Sequence, residues 1–198
     1  FLLPLMLQLG HGLSALQSGL ITFATALGAV SAKPVARRVI ARLGYRRTLM
    51  VAGAAASALM AATGLIGPAW PVVASLGLLY VAGLARSLQF TAINTLTVCD
   101  VPEARLSRAT TLTSTAQQVV LSFGVAIGAS LITVIPALRG VPTATPEDFT
   151  LAFILMGAVA ALNVLTFARL TADAGAAVLP DRKQTTDDTD PSHGGHGR

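Results

Sequence analysis

Arg86 is the one charged side chain inside the long apolar stretches of this sequence, within Gly83-Leu84-Ala85-Arg86-Ser87-Leu88-Gln89-Phe90-Thr91-Ala92-Ile93-Asn94. At helical spacing Arg86, Gln89, Ile93 and Thr97 fall on one face, with Asn94 beside it. A charge inside a bilayer costs at least about 2.5 kcal/mol, so such a residue either faces a water-filled interior or extends its stem to the headgroups. In the first case it lines a solute path or holds a gate; in the second it is an anchor. The residue types admit both. The following apolar stretch is rich in hydroxyls and amides: Ser107, Thr110, Thr111, Thr113, Ser114, Thr115, Gln117, Gln118 and Ser122 crowd its first half. Thr111, Thr115, Gln118 and Ser122 repeat at helical spacing and form a polar stripe. A stripe of this kind lines an aqueous cavity or bonds neighbouring helices. The adjacent amides of Gln117 and Gln118 cannot both reach one partner, which inclines the balance toward a cavity. Farther on, the spacing of Gly124 and Gly128 predicts a close helix approach.

Other chemistries lack their residues. No Asp or Glu falls within an expected span, so the membrane carboxylate that a proton-driven carrier commonly uses is expected outside this sequence. There is no phosphate-binding glycine loop and no HExxH pair. A single cysteine, Cys99, can form neither an internal disulfide nor a cysteine cluster. His193 and His196 make a poor metal site in a polar tail. No enzyme activity, cofactor or metal is expected.

The elements that position these residues follow from composition. Of 198 residues, 53% are hydrophobic and 12% charged, with a mean hydropathy of +0.68. A soluble domain is about 25% charged, so an ordinary soluble enzyme, a disordered chain and a disulfide-built secreted domain are excluded. A spanning helix needs about 20 mostly apolar residues. Five such stretches occur, at about 13–32, 48–66, 72–95, 110–135 and 149–168, after a partial one at 1–9. The expected fold is an all-α helical transmembrane bundle over 1–170, with a flexible polar tail over 171–198. Pro34, Pro68, Pro71, Pro102, Pro136, Pro142 and Pro146 are expected in connections, because proline removes a helical hydrogen bond. The opening Phe1-Leu2-Leu3-Pro4-Leu5-Met6-Leu7 has no charged n-region and reads as the end of a span, so the sequence is expected to be a fragment.

Charge gives direction. The net charge is +5. Lys33, Arg37, Arg38, Arg42, Arg46 and Arg47 form one acid-free basic segment; Arg105, Arg108, Arg169, Arg182, Lys183 and Arg198 fall on the same side of the expected bundle, against Arg139 alone on the other. Basic loops face the cytoplasm, so the 33–47 connection and the C-terminus are expected there. No soluble scaffold interleaves these charges, which argues against nucleic acid as a partner.

Several segments together resemble the major facilitator superfamily, in particular its fourteen-span drug:proton antiporter branch of bacterial multidrug-efflux type. The run from Pro4 through Gln8, Gly12, Ser14 and Gln17 to Gly19 is similar to a characteristic run of that branch. Ala41-Arg42-Leu43-Gly44-Tyr45-Arg46-Arg47 is similar to the superfamily's cytoplasmic loop motif, with Arg42, Gly44 and Arg46 in register and Arg47 following, while Ala41 stands where the motif has an acid. The stretch 86–95, then Ser107-Arg108-Ala109-Thr110 and Gln117-Gln118, also resembles the efflux members. The likeness covers about 1–170. It implies the C-terminal half of a carrier in the bacterial inner membrane that rocks between inward- and outward-open forms, partnered by a missing N-terminal half, the lipid bilayer, a small-molecule substrate and protons. On that reading Arg86, Gln89, Asn94, Thr111, Ser114, Gln117 and Gln118 are substrate-path candidates. Arginines of the 33–47 segment either pair with Asp100 or Glu103 in the inward-closed form or are simply solvated. The expected activity is proton-coupled efflux of drug-like or amphipathic compounds. The alternatives are a non-transporting membrane scaffold or, less in keeping with the short connections, the membrane domain of an ATP-driven exporter.

Overall fold

The computed structural model describes residues 1–67, 70–99 and 101–170, and among these every regular element is helical. The tail read as flexible lies outside the described residues, as does Asp100. A short helix α1 (Leu2–Leu5) widens into a π-helical turn (Met6–Gly10). Gly12, at φ +68°, then turns the chain. Ser14 and Gln17 start α2 (Ala15–Thr63) with a reciprocal cap: the Gln17 amide donates to Ser14 Oγ at 3.2 Å, and the Ser14 amide donates to Gln17 Oε1 at 3.0 Å.

Helix α2 holds 49 residues but is not one rod. Gly44 adopts φ 75° and ψ 167°, a left-handed excursion that a side chain disfavours, and divides the helix into limbs 15–43 and 45–63. Both limbs are near or above the length that crosses a hydrocarbon core. This corrects the expectation of a basic connection over 33–47, because every residue there except Gly44 is helical. Pro34 lies inside α2 and Pro136 inside α4, not in connections. Pro136 is in the last turn of its helix. Pro34 costs one backbone bond, which bundled membrane helices absorb. The remaining helices are α3 (Val72–Cys99), α4 (Glu103–Leu138) and α5 (Pro146–Ala168).

Helices α2 and α3 pack most extensively. A Cβ on Gly28 would overlap the Tyr80 carbonyl, and one on Gly83 would overlap the Thr25 carbonyl. The two backbones therefore touch, and Ser87 Oγ donates to the Ala29 carbonyl at 2.9 Å across the same contact. A second close approach joins α2 to α5, where a Cβ on Gly64 would sit 2.6 Å from that of Phe153, and Thr150 Oγ1 donates to the Gly64 carbonyl at 2.6 Å. Two apolar clusters result. One gathers Met6, Leu7, Leu79, Ile135, Phe149 and Phe153; the other gathers Ala36, Ile40, Tyr45, Leu49, Leu88 and Ala92 toward the end that carries the basic segment. Helix α4 is only lightly attached to α3 and α5. The close approach expected at Gly124 and Gly128 brings no second helix backbone nearest to either: Gly124 has nothing within 4 Å, and the atoms nearest a Cβ on Gly128 belong to the Leu2 side chain. Large apolar side chains such as Phe23, Val73, Val120, Phe123 and Leu162 face outward. An apolar exterior of this extent suits lipid rather than water.

Candidate functional site

The α3 residues expected on one polar face have different surroundings. Arg86 is exposed and has no ion pair or hydrogen bond among the described residues. Gln89 is half-buried, its amide nitrogen 3.5 Å from where a Cβ on Gly53 would stand. Ile93 and Thr97 turn toward Leu49 and Phe167 and line an apolar cleft. Asn94 points to α4: Gln117 Nε2 donates to Asn94 Oδ1 at 2.8 Å, while Asn94 Nδ2 donates to the Phe90 carbonyl at 3.0 Å.

That amide pair ties α4 to α3. The α4 hydroxyls turn inward on their own helix. Thr110, Thr111, Thr113, Thr115 and Ser122 each donate to the carbonyl four residues before, at 2.8–3.0 Å. A hydroxyl bonded this way has its proton satisfied without another helix, yet keeps lone pairs for water or a solute. Thr111, Ser114 and Gln118 are exposed and Gln117 is half-buried. The structure thus joins Asn94 to Gln117, leaves Gln118 pointing elsewhere as adjacent amides must, and does not draw Arg86, Thr111 or Ser114 into the same contact.

At the basic end, Gly44 supplies the break between the limbs, and Arg42 and Arg47 are exposed. Arg46 is half-buried, and its Nη2 donates to the Ala168 carbonyl at 2.8 Å. A cation on the free carbonyls of a helix C-terminus is favoured by both the unpaired acceptors and the helix dipole. The side chain of Glu103 lies, like Asp100, outside what the structure describes.

The opposite end holds a network that the sequence reading passed over. Asp148, fully buried in the first turn of α5, accepts through Oδ2 from the Thr145 amide and hydroxyl, both at 2.8 Å. Its Oδ1 takes Arg139 Nη1 at 2.7 Å, and Glu147 takes Arg139 Nη2 at 3.1 Å. Bonds to Asp148 and then Glu147 hold the Arg139 guanidinium above its ordinary range. The signal was available: Thr145-Pro146-Glu147-Asp148 places a capping residue, a proline in the first turn and acids at a helix N-terminus. Partial burial pushes the His11 imidazole below its usual value.

A family profile described as Major Facilitator Superfamily matches residues 1–192. The chain belongs to the Major Facilitator Superfamily. It is a multi-pass membrane protein built as an all-α bundle. Among its relatives, a protein of Serratia proteamaculans provisionally named multidrug resistance protein MdtD is 36% identical over 183 residues, which cover 87% of this chain and 37% of the relative. Proteins of the same provisional name from Yersinia enterocolitica and Klebsiella pneumoniae are 32% and 31% identical, covering 88% and 92% of this chain and 38% and 39% of the relatives. The chain therefore spans under two-fifths of the length of these superfamily members. No solved structure matches it.

Proposed function

We propose that this chain forms part of a secondary transporter that exports drug-like or amphipathic compounds in exchange for protons, by alternating access in the bacterial inner membrane. The observation that carries this reading is the exposed polar face of α4. The hydroxyls of Thr111, Thr115 and Ser122 are satisfied within the helix and leave acceptors facing outward, as a helix beside a wet solute path requires. Exposed Arg86 and the Asn94–Gln117 pair would border the same path. The remaining length of the relatives would supply the other half of the path and the proton-binding carboxylate. The likeness to proteins provisionally named for multidrug resistance supports the substrate class.

The basic end, with the C-terminus, would face the cytoplasm by the excess of Lys and Arg there. Labelling of Cys99 by a membrane-impermeant thiol reagent added from outside would overturn that orientation. Arginines of the 33–47 segment would meet Asp100 or Glu103 in the inward-closed form; exchanging Asp100→Lys with Arg46→Asp should then restore transport lost in either single variant.

The central test is export of a fluorescent cationic dye by the full-length protein in energised vesicles. Transport should collapse with a proton uncoupler. It should fall at least tenfold in Arg86→Ala at unchanged membrane level. Uncoupler-resistant or absent export would sink the reading, and undiminished export by Arg86→Ala would return that residue to an anchoring role.

A further inference from the structure

A cleft of about 320 Å³ opens at the basic end between the second limb of α2, α3 and α5, walled by Leu49, Ile93, Phe167 and Leu170 with Thr97 and Thr166. Its walls are mainly hydrocarbon, and it lies where two elements end: Ala168 closes α5, and Leu49 is one turn past the break at Gly44. Arg46 stands one turn before Leu49, and Arg169 lies between Ala168 and the wall residue Leu170. Among the described residues the Arg46 guanidinium makes one bond, from Nη2 to the Ala168 carbonyl, and its buried Nε has no partner. A buried charged donor left unpaired is unfavourable and calls for an acceptor. Arg42, Arg47 and Arg169, near Arg46 or the cleft wall in sequence, are exposed, and no acid stands among residues 41–49 or 166–170.

An apolar cleft at a membrane boundary, with the partly paired Arg46 one turn from one wall residue and the exposed Arg169 next to another, is complementary to a molecule with a hydrocarbon chain and an anionic head. We propose that this cleft binds one anionic phospholipid from the leaflet on the basic side. Part of an acyl chain lies against Leu49, Ile93 and Phe167, and the phosphate is held by Arg46 and Arg169. Phosphate alone has no use for the hydrocarbon walls, and a zwitterionic lipid brings its own cation to a site already positive.

The proposal is tested on the full-length protein in neutral detergent, by native mass spectrometry during titration with dioleoyl-phosphatidylglycerol, dioleoyl-phosphatidylcholine or glycerol 1-phosphate. One phosphatidylglycerol should be retained per protein, at least fivefold more tightly than phosphatidylcholine, and glycerol 1-phosphate should not displace it. Arg169→Gln, at an exposed position, should reduce the preference at least twofold. Thr97→Trp, which fills the cleft from another exposed position, should weaken phosphatidylglycerol binding about tenfold with helicity unchanged. Equal binding of the two lipids, displacement by glycerol 1-phosphate, or unchanged binding in Thr97→Trp would each overturn the proposal. None of these readouts depends on transport.

Discussion

The α2–α3 pair and helix α4 are drawn from similar residues, yet one is fused into the bundle and the other barely joined to it. Between α2 and α3, Gly28 and Gly83 bring the backbones into contact, and Ser87 donates across the interface. Helix α4 also carries glycines at close-packing spacing and a denser set of hydroxyls, but Gly124 faces open space and hydroxyls such as those of Thr111 and Thr115 bond their own helix. What separates them is the partner: small residues promote association only when a second backbone presents itself at the same height. A lightly attached helix with a polar face is therefore the element most open to whatever lies beside this bundle, whereas the fused pair is closed to it along its shared face.

The largest effect should follow an attack on the fused pair. Gly83→Val places side-chain atoms where the Thr25 carbonyl lies, so α2 and α3 must separate or bend. Overpacking of this kind typically costs about 1–3 kcal/mol, and contact with backbone rather than a mobile side chain puts it at the upper end. Thermal unfolding followed by circular dichroism, together with the monodisperse yield in detergent, should both drop sharply. A Gly83→Val protein that unfolded like the parent would mean that the two backbones do not touch.

Next comes the hairpin that ties α4 to α5. Asp148→Ala removes the acceptor for the Thr145 amide and hydroxyl and one of the two carboxylates that meet Arg139. Loss of a helix cap typically costs about 1 kcal/mol, so unfolding should shift less than in Gly83→Val but measurably. Glu147, 80% exposed, should be nearly neutral when changed to Ala. If Glu147→Ala proved as damaging as Asp148→Ala, the surface pair rather than the buried cap would be what holds the hairpin.

Much of this division was written in the residue types, but not its assignment to particular helices. Apolar length and the positions of most prolines outlined the helices, and Gly44 was already marked by the loop motif. That Gly44 would be the sole break in an otherwise helical basic segment was hidden, because Pro34 signals a stop locally, whereas bundled membrane helices absorb the bond it removes. Asp148 was passed over as a charge outside a span, although Thr145 three residues earlier signals a cap. Glycine spacing named Gly124 and Gly128 and missed Gly28 and Gly83, since spacing reports one helix and contact needs two. The hydroxyls of α4 were open to either reading because a threonine can return its proton to its own helix, a choice that depends on whether a neighbour is there.

A smaller effect is expected where α4 does reach α3. Gln117→Leu deletes the donor to Asn94 and leaves the Asn94 oxygen with one partner fewer. Interhelical polar bonds in membranes average about 0.6 kcal/mol, so unfolding should move little, while dye export by the full-length protein should fall several-fold if the pair borders the path. A large loss of stability with normal export would make the pair structural and would shrink the contrast between α4 and the fused pair.

The smallest effect should come from Gly124→Val, the same chemical change as at Gly83 but on the open helix. With nothing within 4 Å of the added Cβ, the valine meets no backbone, and replacing a mid-helix glycine slightly restricts the unfolded chain. Unfolding of this bundle should therefore stay within about 0.5 kcal/mol of the parent, as for substitutions away from any packed contact. The same change in the full-length protein asks a different question, because more than three-fifths of the length of the relatives lies outside this sequence. If a helix from that remainder packs on the Gly124 face, Gly124→Val should be silent in the bundle and destabilising in the whole protein. If the face borders a wet path, it should be silent in both assays of stability and visible only in export. Destabilisation of the bundle itself would show that α4 is packed at Gly124 after all, and the distinction between the two regions would fail at the residue that states it most simply.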